Sequence, residues 1–412
     1  MKEITMSESI NKLDRRKFLA ASLGGAMAAG LGGFYPQVIQ AQDTGKTEIP
    51  EKKLITRKLG RTGMEIPIVS MGVGGTNNPG LIQAAYEKGV RMFDTAANYG
   101  YGRNEQMLGN AIQKAADRSK VFLATKILVP AQREALTAEN AERNIGNMIN
   151  GSLKKLKTDY IDILYVHDVR TIEDVNKPEI YETLQKYKQE QKIRAIGITA
   201  HTNMAELIDW AADSKIYDVF LTSINFTMAD DTPLMNAIEK AHNNGVSIVA
   251  MKTQAGGSRW PNPESIRDHD TKTIAIACLK WVLGHESVTT SIPGYQNFQQ
   301  LDEDFEVAFN VALSQQEKAF LESNDIRLGF EFCRQCRLCL ASCPHNTDIP
   351  SLMRTHMYAA QYGDFYLARQ TLDAIPSGNN LRQCTNCTEC TAECANSVNI
   401  SRKIDELKLM YS

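Results

Sequence analysis

The central part of the chain alternates short apolar runs with longer segments in which apolar residues recur at helical spacing. Each apolar run is compact, as expected of a strand that is buried on both faces. The predicted strands are Ile68–Gly74, Arg91–Thr95, Val121–Lys126, Ile161–His167, Ile193–Thr199, Val219–Asn225, Ser247–Lys252 and Thr289–Pro293. Amphipathic segments such as Asn140–Leu156 and Thr232–Asn243 lie between them and predict helices.

Eight strand–helix units within about 250 residues predict an α/β fold of the (β/α)8 TIM-barrel type. An open, doubly wound sheet is the alternative, but no G-x-G-x-x-G sequence opens the first helix to support it. The segment Lys53–Pro67, which has Gly60 and Gly63 near its centre, predicts a hairpin that plugs the bottom of the barrel. A further helix is expected at Ser314–Asn324.

Eight of the nine cysteines form two copies of one C-x2-C-x2-C-x3-C pattern near the C-terminus. The copies are Cys333, Cys336, Cys339, Cys343 and Cys384, Cys387, Cys390, Cys394. Cysteines with this spacing hold [4Fe–4S] clusters in two-cluster ferredoxins, where the fourth cysteine of a run ligates the other cluster. We therefore expect two clusters, one on the first three cysteines of the first copy with Cys394, and one on the first three of the second copy with Cys343.

Two other uses of these cysteines are less favoured. Structural zinc sites use paired C-x2-C knuckles and do not need a third cysteine at the same step. A disulfide framework would close strained loops between such closely spaced residues. The segment between Cys343 and Cys384 contains two predicted helices, Ile349–Tyr362 and Asp364–Ala374, so we predict a mainly helical two-cluster module after the barrel.

The N-terminus carries a twin-arginine pattern, Asp14–Leu19, followed by an apolar stretch rich in Ala and Gly that runs to about Ile39. This pattern predicts a twin-arginine export signal and hence a periplasmic or other extracytoplasmic location. The apolar run is too short and too rich in glycine for a stable membrane span. A disordered basic tail or a retained anchor is the alternative. The predicted parts are a signal at 1–42, the barrel at 43–325 and the cluster domain at 326–412.

The net charge and its distribution argue against one class of partner, nucleic acid. The chain has 46 Lys and Arg against 48 Asp and Glu, and its net charge is −2. The basic residues are dispersed, so nothing indicates binding to nucleic acid. The ninth cysteine, Cys278, lies in an apolar run and is expected to be a buried thiol.

Candidate chemistry lies where the predicted strands end, since TIM-barrel enzymes carry their active residues at the C-terminal ends of strands. Asp94 follows the second strand, Lys126 closes the third, His167 closes the fourth, and Tyr99 lies five residues beyond Asp94. At these points the chain resembles the aldo-keto reductase family, whose catalytic Asp, Tyr, Lys and His occupy this order. The matching stretches are Phe93–Gly100, Ala124–Lys126 and Leu164–His167, and the resemblance runs from about Thr56 to Phe309.

The resemblance implies a role for each of the four residues in reducing a carbonyl group. Tyr99 would donate the proton, and Lys126 would lower the pKa of Tyr99 because a nearby ammonium favours phenolate. Asp94 would hold Lys126 charged and in place. A neutral His167 would orient the carbonyl oxygen by a hydrogen bond.

The resemblance also implies NADPH or NADH lying extended across the barrel mouth. The expected contacts are Gly74, Thr199, Asn225, Lys252, Pro293, Gly294 and Gln300. Where the family often has a basic residue and an asparagine, this chain has Gln300 and Asp304. A 2′-phosphate needs a basic counter-charge, and an acidic Asp304 would repel it, so a preference for NADPH is not expected.

The combined features predict an exported oxidoreductase that acts on a small carbonyl or alcohol substrate, with clusters that pass electrons to or from a redox partner protein. A nicotinamide moves two electrons as hydride and each cluster moves one, so a relay needs a one-electron intermediary. No flavin motif is evident in the sequence. Two alternatives stay open: clusters that serve structure or redox sensing, and an electron-transfer or interaction module with an idle barrel.

Overall fold

The computed structural model describes residues 53–129, 137–256 and 270–411, so the predicted export signal lies outside the described residues. The strands are β1 (Thr56–Lys58), β2 (Glu65–Pro67), β3 (Met71–Gly72), β4 (Met92–Asp94), β5 (Phe122–Ile127), β6 (Ile161–Val169), β7 (Ile193–Ala200), β8 (Val219–Ser223), β9 (Ser247–Met251) and β10 (Val288–Ser291). The α-helices are α1 (Pro79–Lys88), α2 (Arg103–Ala115), α3 (Ala138–Leu156), α4 (Pro178–Gln189), α5 (Met204–Ser214), α6 (Thr232–Asn243), α7 (Thr271–Leu283), α8 (Phe298–Phe305), α9 (Gln315–Glu322), α10 (Asn324–Gly329), α11 (Ile349–His356), α12 (Phe365–Asp373) and α13 (Ile400–Tyr411).

Strands β3 to β10 form one parallel sheet in chain order, and each is followed by a helix. Parallel bridges from Val69 to Ser291 and from Gly72 to Gly294 join the first strand to the last. Gly72 allows this approach, since a Cβ there would lie 2.9 Å from the Ile292 carbonyl oxygen. The predicted (β/α)8 barrel is therefore confirmed.

The hairpin predicted before the barrel is also confirmed, because β1 and β2 pair antiparallel. Leu59 and Ile66 are fully buried and pack with the residues that fill the barrel interior. Arg61 donates from its backbone N–H to the Gly245 carbonyl at 3.0 Å and from Nε to Asp218 Oδ1 at 3.2 Å. Both partners immediately precede barrel strands, so the hairpin covers the N-terminal face of the barrel.

Five of the eight outer helices begin at a side chain that accepts from a free N–H group of the first turn. Thr137 Oγ1 accepts from Asn140 N–H, and Asn140 Oδ1 accepts from Thr137 N–H, which forms a capping box at the start of α3. Asp231 caps α6 and Asp270 caps α7 in the same way. Cys278 on α7 is fully buried, as expected.

The C-terminal region, residues 326–411, is mainly helical and packs on the opposite, C-terminal face of the barrel. The helix expected at Ser314–Asn324 is confirmed as α9, and Ser323, which ends it, also caps the separate helix α10. Ion pairs join the region to the strand ends: Asp348 pairs with Arg170 at 3.3 Å and Arg354 with Asp168 at 3.4 Å. No helix among the described residues is long and apolar enough to cross a membrane.

Candidate active site

Parallel pairing brings three of the four predicted catalytic residues to one face of the barrel. Asp94 ends β4 opposite Ala124 of β5, and Lys126 of β5 lies opposite Tyr165 of β6. His167 follows two residues later on β6. Adjacent strand ends therefore carry these side chains within reach of one another.

Asp94 and Lys126 form a buried ion pair. The Lys126 Nζ donates to Asp94 Oδ1 and, at 2.7 Å, to the Thr95 carbonyl, and both side chains are 3% exposed or less. Burial raises the pKa of Asp94 and lowers that of Lys126, and in each case the charged partner opposes the shift. The pair holds the ammonium in one position, as the sequence predicted.

Tyr99 opens a short turn, Tyr99–Gly102, in which Gly100 and Tyr101 are left-handed at φ 55° and 57°. The Lys126 Nζ lies 5.1 Å from the centroid of the Tyr99 ring. The predicted lowering of the Tyr99 pKa is wrong for this structure: burial raises it, and the Asp94 carboxylate raises it further. Tyr99 thus keeps its proton near neutral pH, which is the state that a proton donor needs.

His167 lies beside this group, with its ring centroid 6.0 Å from that of Tyr99 and an interplanar angle of 75°. Burial, reinforced by the Lys126 ammonium, lowers the pKa of His167 to about 3. The imidazole is therefore neutral, as the proposed orienting role requires. Its Nδ1 has no hydrogen-bond partner among the described residues.

Two buried polar residues of α2 support the site and were missed by sequence reasoning. Asn104 accepts from Thr95 Oγ1 at 2.7 Å and donates to the Val73 carbonyl at 2.9 Å. Glu105 is fully buried and accepts from Thr125 Oγ1 at 2.8 Å. Both contacts position residues adjacent to the catalytic pair. Only knowledge that the first turn of α2 faces inward could have marked these residues.

A cavity of about 960 Å³ opens in front of Asp94, Tyr99 and Lys126. Five of the seven predicted cofactor contacts line this cavity: Gly74, Lys252, Pro293, Gly294 and Gln300. His167 lies beside the cavity and is not among its lining residues.

Thr199 and Asn225 do not reach the cavity. Thr199 Oγ1 accepts from the Asp168 N–H at 2.9 Å. Asn225 is fully buried, where it donates to the Lys252 carbonyl at 3.3 Å and accepts from Thr227 N–H. Their side chains fix the strand ends, so the prediction that they contact the cofactor lacks support here.

Asp304 also departs from expectation. It is 1% exposed and accepts from Gln254 Nε2 at 2.9 Å, below the cavity surface. Asp304 therefore does not line the cavity in which a 2′-phosphate would bind. Gln300, which accepts from the Gln296 N–H at 2.8 Å, is the member of this pair that faces the cavity.

The lining of the cavity fits an extended nicotinamide cofactor. Its volume is near the upper end of the range for small-molecule and cofactor sites. Glycines at Gly72, Gly74, Gly75 and Gly294 leave room along one side, next to the candidate catalytic groups.

The remaining side of the cavity is built by the C-terminal region. Tyr358, Tyr362, Tyr366 and Gln370 line it opposite the strand ends. Sequence reasoning placed these residues on helices but left open whether the region docks over the barrel mouth. The structure places it over the mouth.

The cysteines surround two further cavities. One is lined by Cys333, Cys336, Cys339 and Cys394, and the other by Cys343, Cys384, Cys387 and Cys390. These are the two sets that we expected if the fourth cysteine of each run ligates the cluster of the other run. Backbone and side-chain N–H groups point at sulfur, with Asn396 N–H 3.3 Å from Cys394 Sγ and Gln335 Nε2 3.3 Å from Cys333 Sγ.

The chemistry of the donor sets fits clusters. Among the described residues no three His, Cys, Asp or Glu side chains converge closely enough to hold a single metal ion. Each set of four thiols is instead spread around its cavity, an arrangement that suits a multi-iron cluster. A small third cavity, lined by Cys333, His201, Lys252 and Arg354, lies between the first set and the barrel mouth.

Comparison with known proteins supports both the barrel and the C-terminal cluster domain. The profile of the 4Fe-4S dicluster domain matches residues 332–399, so the C-terminal region is an iron–sulfur domain. L-galactose dehydrogenase of Arabidopsis thaliana is 25% identical over 287 residues, which cover 61% of this chain and 87% of the relative.

Solved structures share the barrel fold. An aldo-keto reductase from Bacillus halodurans in its holo form superposes with a TM-score of 0.52 at 23% identity, over 66% of this chain and 96% of the other. An aldo-keto reductase from Klebsiella pneumoniae in complex with NADPH superposes with a TM-score of 0.52 at 20% identity, over 65% of this chain and 95% of the other.

The profile of the aldo/keto reductase family matches residues 79–325, more than half of the chain. This match covers the barrel from α1 onward and includes the four residues at the strand ends. The chain is therefore an oxidoreductase that belongs to the aldo/keto reductase family.

Proposed function

We propose that the protein is an exported, nicotinamide-dependent oxidoreductase that interconverts a carbonyl and an alcohol in a small molecule. When the alcohol is oxidised, the two electrons that the nicotinamide takes up would leave singly through the clusters to a redox partner protein, by way of a one-electron intermediary, and they would enter by the reverse route when the carbonyl is reduced. The observation that carries the proposal is the convergence of Asp94, Lys126 and Tyr99 on a cavity that glycines line next to these three side chains.

Each residue has a distinct task in this reaction. Tyr99, protonated near neutral pH, donates its phenolic proton to the developing alkoxide oxygen. Lys126, held by Asp94, stabilises the phenolate that is left behind. His167, neutral and with a free ring nitrogen among the described residues, donates or accepts the hydrogen bond that aligns the substrate oxygen.

When bound, a nicotinamide supplies the hydride and a [4Fe–4S] cluster supplies one-electron transfer. Gly74, Lys252, Pro293, Gly294 and Gln300 would hold the nicotinamide cofactor. Both NADPH and NADH stay open, since the Klebsiella pneumoniae relative binds NADPH whereas Gln300 offers no positive charge to a 2′-phosphate.

A route for electrons is supported by the position of the first cysteine set. Cys333 lines the same small cavity as Lys252, and Lys252 also lines the catalytic cavity. The alternative, in which the clusters serve structure or redox sensing, is favoured by their place within the core of the C-terminal region.

Export and the division of the chain are further parts of the proposal. The Arg15-Arg16 pair supports a twin-arginine signal at 1–42 and an extracytoplasmic location. This route carries folded proteins, so the clusters could be inserted before export. The barrel would then occupy 43–325 and the cluster domain 326–412.

The test uses anaerobically purified protein with its clusters intact. NADH or NADPH is added, and the visible cluster absorption and low-temperature EPR signal are followed. We expect bleaching and a reduced-cluster signal. Nicotinamide binding with clusters that stay oxidised, although dithionite reduces them, would show that the barrel and clusters do not exchange electrons.

A further inference from the structure

Given the proposed function, on which this inference rests, we propose that residues 357–370 select the substrate. We call these residues the mouth segment. The strand ends of the barrel supply the reactive groups, and the mouth segment would recognise a hydroxylated ring on the carbonyl or alcohol substrate. Substrate choice would then belong to the iron–sulfur domain and not to the barrel.

The mouth segment forms the wall that faces the reactive groups. It consists of one turn of wider helix (Met357–Gln361), a reversal at Gly363 with φ 64°, and the first part of α12. Tyr358, Tyr362 and Tyr366 recur at every fourth residue of the segment. All three line the cavity that Asp94, Tyr99 and Lys126 line from below.

Contacts with the barrel hold the wall in place. Gln370 Nε2 donates to the Asn98 carbonyl at 3.4 Å, one residue before Tyr99. Gln296 Nε2 donates to the Tyr362 carbonyl at 3.4 Å on the opposite side of the mouth. A Cβ on Gly256 would lie 2.9 Å from Met357 Sδ, so the loop after β9 packs directly against the segment.

Two further contacts orient the tyrosine rings. The Tyr366 ring packs edge to face on Tyr101, with centroids 4.7 Å apart. The Lys252 Nζ lies 5.3 Å from the centroid of Tyr358. The wall is therefore preformed rather than assembled around a ligand.

The composition of the wall indicates the ligand. A tyrosine offers an apolar ring face and a hydroxyl at its edge, which suits a ring that has apolar faces and polar substituents. Asp364 and Gln370 add polar side chains on the same wall. A short aliphatic aldehyde has no face for these rings to cover, so it gains little from them.

The test compares three probes with the holoprotein and NADPH: 3,4-dihydroxybenzaldehyde, benzaldehyde and propanal. The variant is Tyr362→Leu, which removes the aromatic face. Arg369→Ala is the control, because Arg369 lies in the same mouth segment, on α12, is 59% exposed and pairs with Asp373 away from the cavity. The dissociation constant for NADPH is measured by fluorescence titration for each protein.

We expect Tyr362→Leu to lower kcat/KM for the dihydroxylated ring about tenfold, mainly through KM, and to change that for propanal less than about twofold. NADPH affinity and the Arg369→Ala variant should be unchanged. Equal losses on the ring and on propanal, or no loss on either, would overturn the inference while the proposed function stands. A wild-type protein that binds no nicotinamide and reduces none of the probes would overturn the proposed function itself.

Discussion

The barrel and the iron–sulfur domain bring their functional residues together in opposite ways. In the barrel, Asp94, Tyr99, Lys126 and His167 are spread over more than seventy residues of sequence, and sheet register together with the turn after β4 makes them neighbours. In the iron–sulfur domain, three cysteines of each set are fixed by local spacing, and only the fourth comes from the other run. The barrel site thus depends on the whole fold. Each cluster site depends on one long-range contact, which brings the fourth cysteine of one run to the first three cysteines of the other.

The two regions also differ in what fills their interiors. The barrel buries whole layers of apolar side chains, many with no exposed surface. The cluster core consists of ten buried residues with several partly buried cysteines packed against them. So small a core gains much of its stability from the groups that the cysteines hold.

The largest expected effect is the loss of clusters when two cysteines are replaced at once. Such double variants test directly whether the two runs exchange their fourth cysteine. Cys333→Ala with Cys394→Ala removes two ligands from one set and should abolish one cluster. Cys333→Ala with Cys343→Ala removes one ligand from each set and should abolish both. Iron and sulfide contents after anaerobic purification measure the outcome. If the first pair lost both clusters and the second lost one, each run would hold its own cluster and the exchange would be wrong.

Next in size is the loss of the proton donor. Tyr99→Phe should lower kcat by about 10²–10⁴-fold, because general acid catalysis disappears while the ring stays in place. The cluster spectrum should be unchanged, since Tyr99 lines the catalytic cavity and not the two cavities that the cysteine sets surround. Tyr101→Phe is the matched control, as its side chain is 75% exposed, and it should retain most activity. Comparable losses in both variants would remove Tyr99 from its proposed role.

Features that are set by local sequence patterns could be predicted from the sequence, whereas features that depend on long-range contacts could not. Strand ends and cysteine spacing are periodic features, so the barrel, Asp94, Lys126 and both cysteine sets could be predicted. The direction of the Tyr99 pKa shift could not, because it depends on the burial of the ring and on the nearby Asp94 carboxylate. Family resemblance assigned cofactor contacts to Thr199, which instead hydrogen-bonds within the barrel.

The docking of the iron–sulfur domain was the least predictable feature. Nothing in the pattern of Ile349–Tyr362 indicates that it caps a barrel mouth, because its amphipathicity fits any apolar surface. The decisive contacts, such as Arg354 with Asp168, join residues far apart in the chain. Such pairs leave no signal in one sequence.

A smaller effect concerns acid stability. The pKa of His167 is lowered from 6.5 to about 3 by burial, with the cations Lys126, Arg354 and Lys252 adding to the shift and Asp168 opposing it. Between these values the unfolded chain binds the proton and the folded protein does not, so stability rises with pH. Acidification from pH 7 to pH 5 should cost the wild-type on the order of 1 kcal/mol more than His167→Asn. Urea unfolding at both pH values measures the difference, and equal losses would show that His167 does not titrate this way.

The smallest expected effect tests whether the two regions behave as one. The described parts of residues 53–411 form a single compact unit, with Arg354 and Asp168 paired across the join. Arg354 is 7% exposed but Asp168 is 24% exposed, so a double-mutant cycle of Arg354→Met and Asp168→Asn should give a coupling of about 0.5–1 kcal/mol. The exposed pair Arg369–Asp373 lies within one helix and should give less.

Unfolding in that cycle is followed by tryptophan fluorescence, which reports the barrel, and by cluster absorption, which reports the iron–sulfur domain. If the regions unfold together, breaking the pair shifts both transitions to lower urea by the same amount. Separate transitions, with only the cluster signal shifted, would mean that the iron–sulfur domain leaves the barrel before the barrel unfolds. The cavity wall would then open while the barrel is still folded, and substrate selection by the mouth segment would depend on an intact cluster domain.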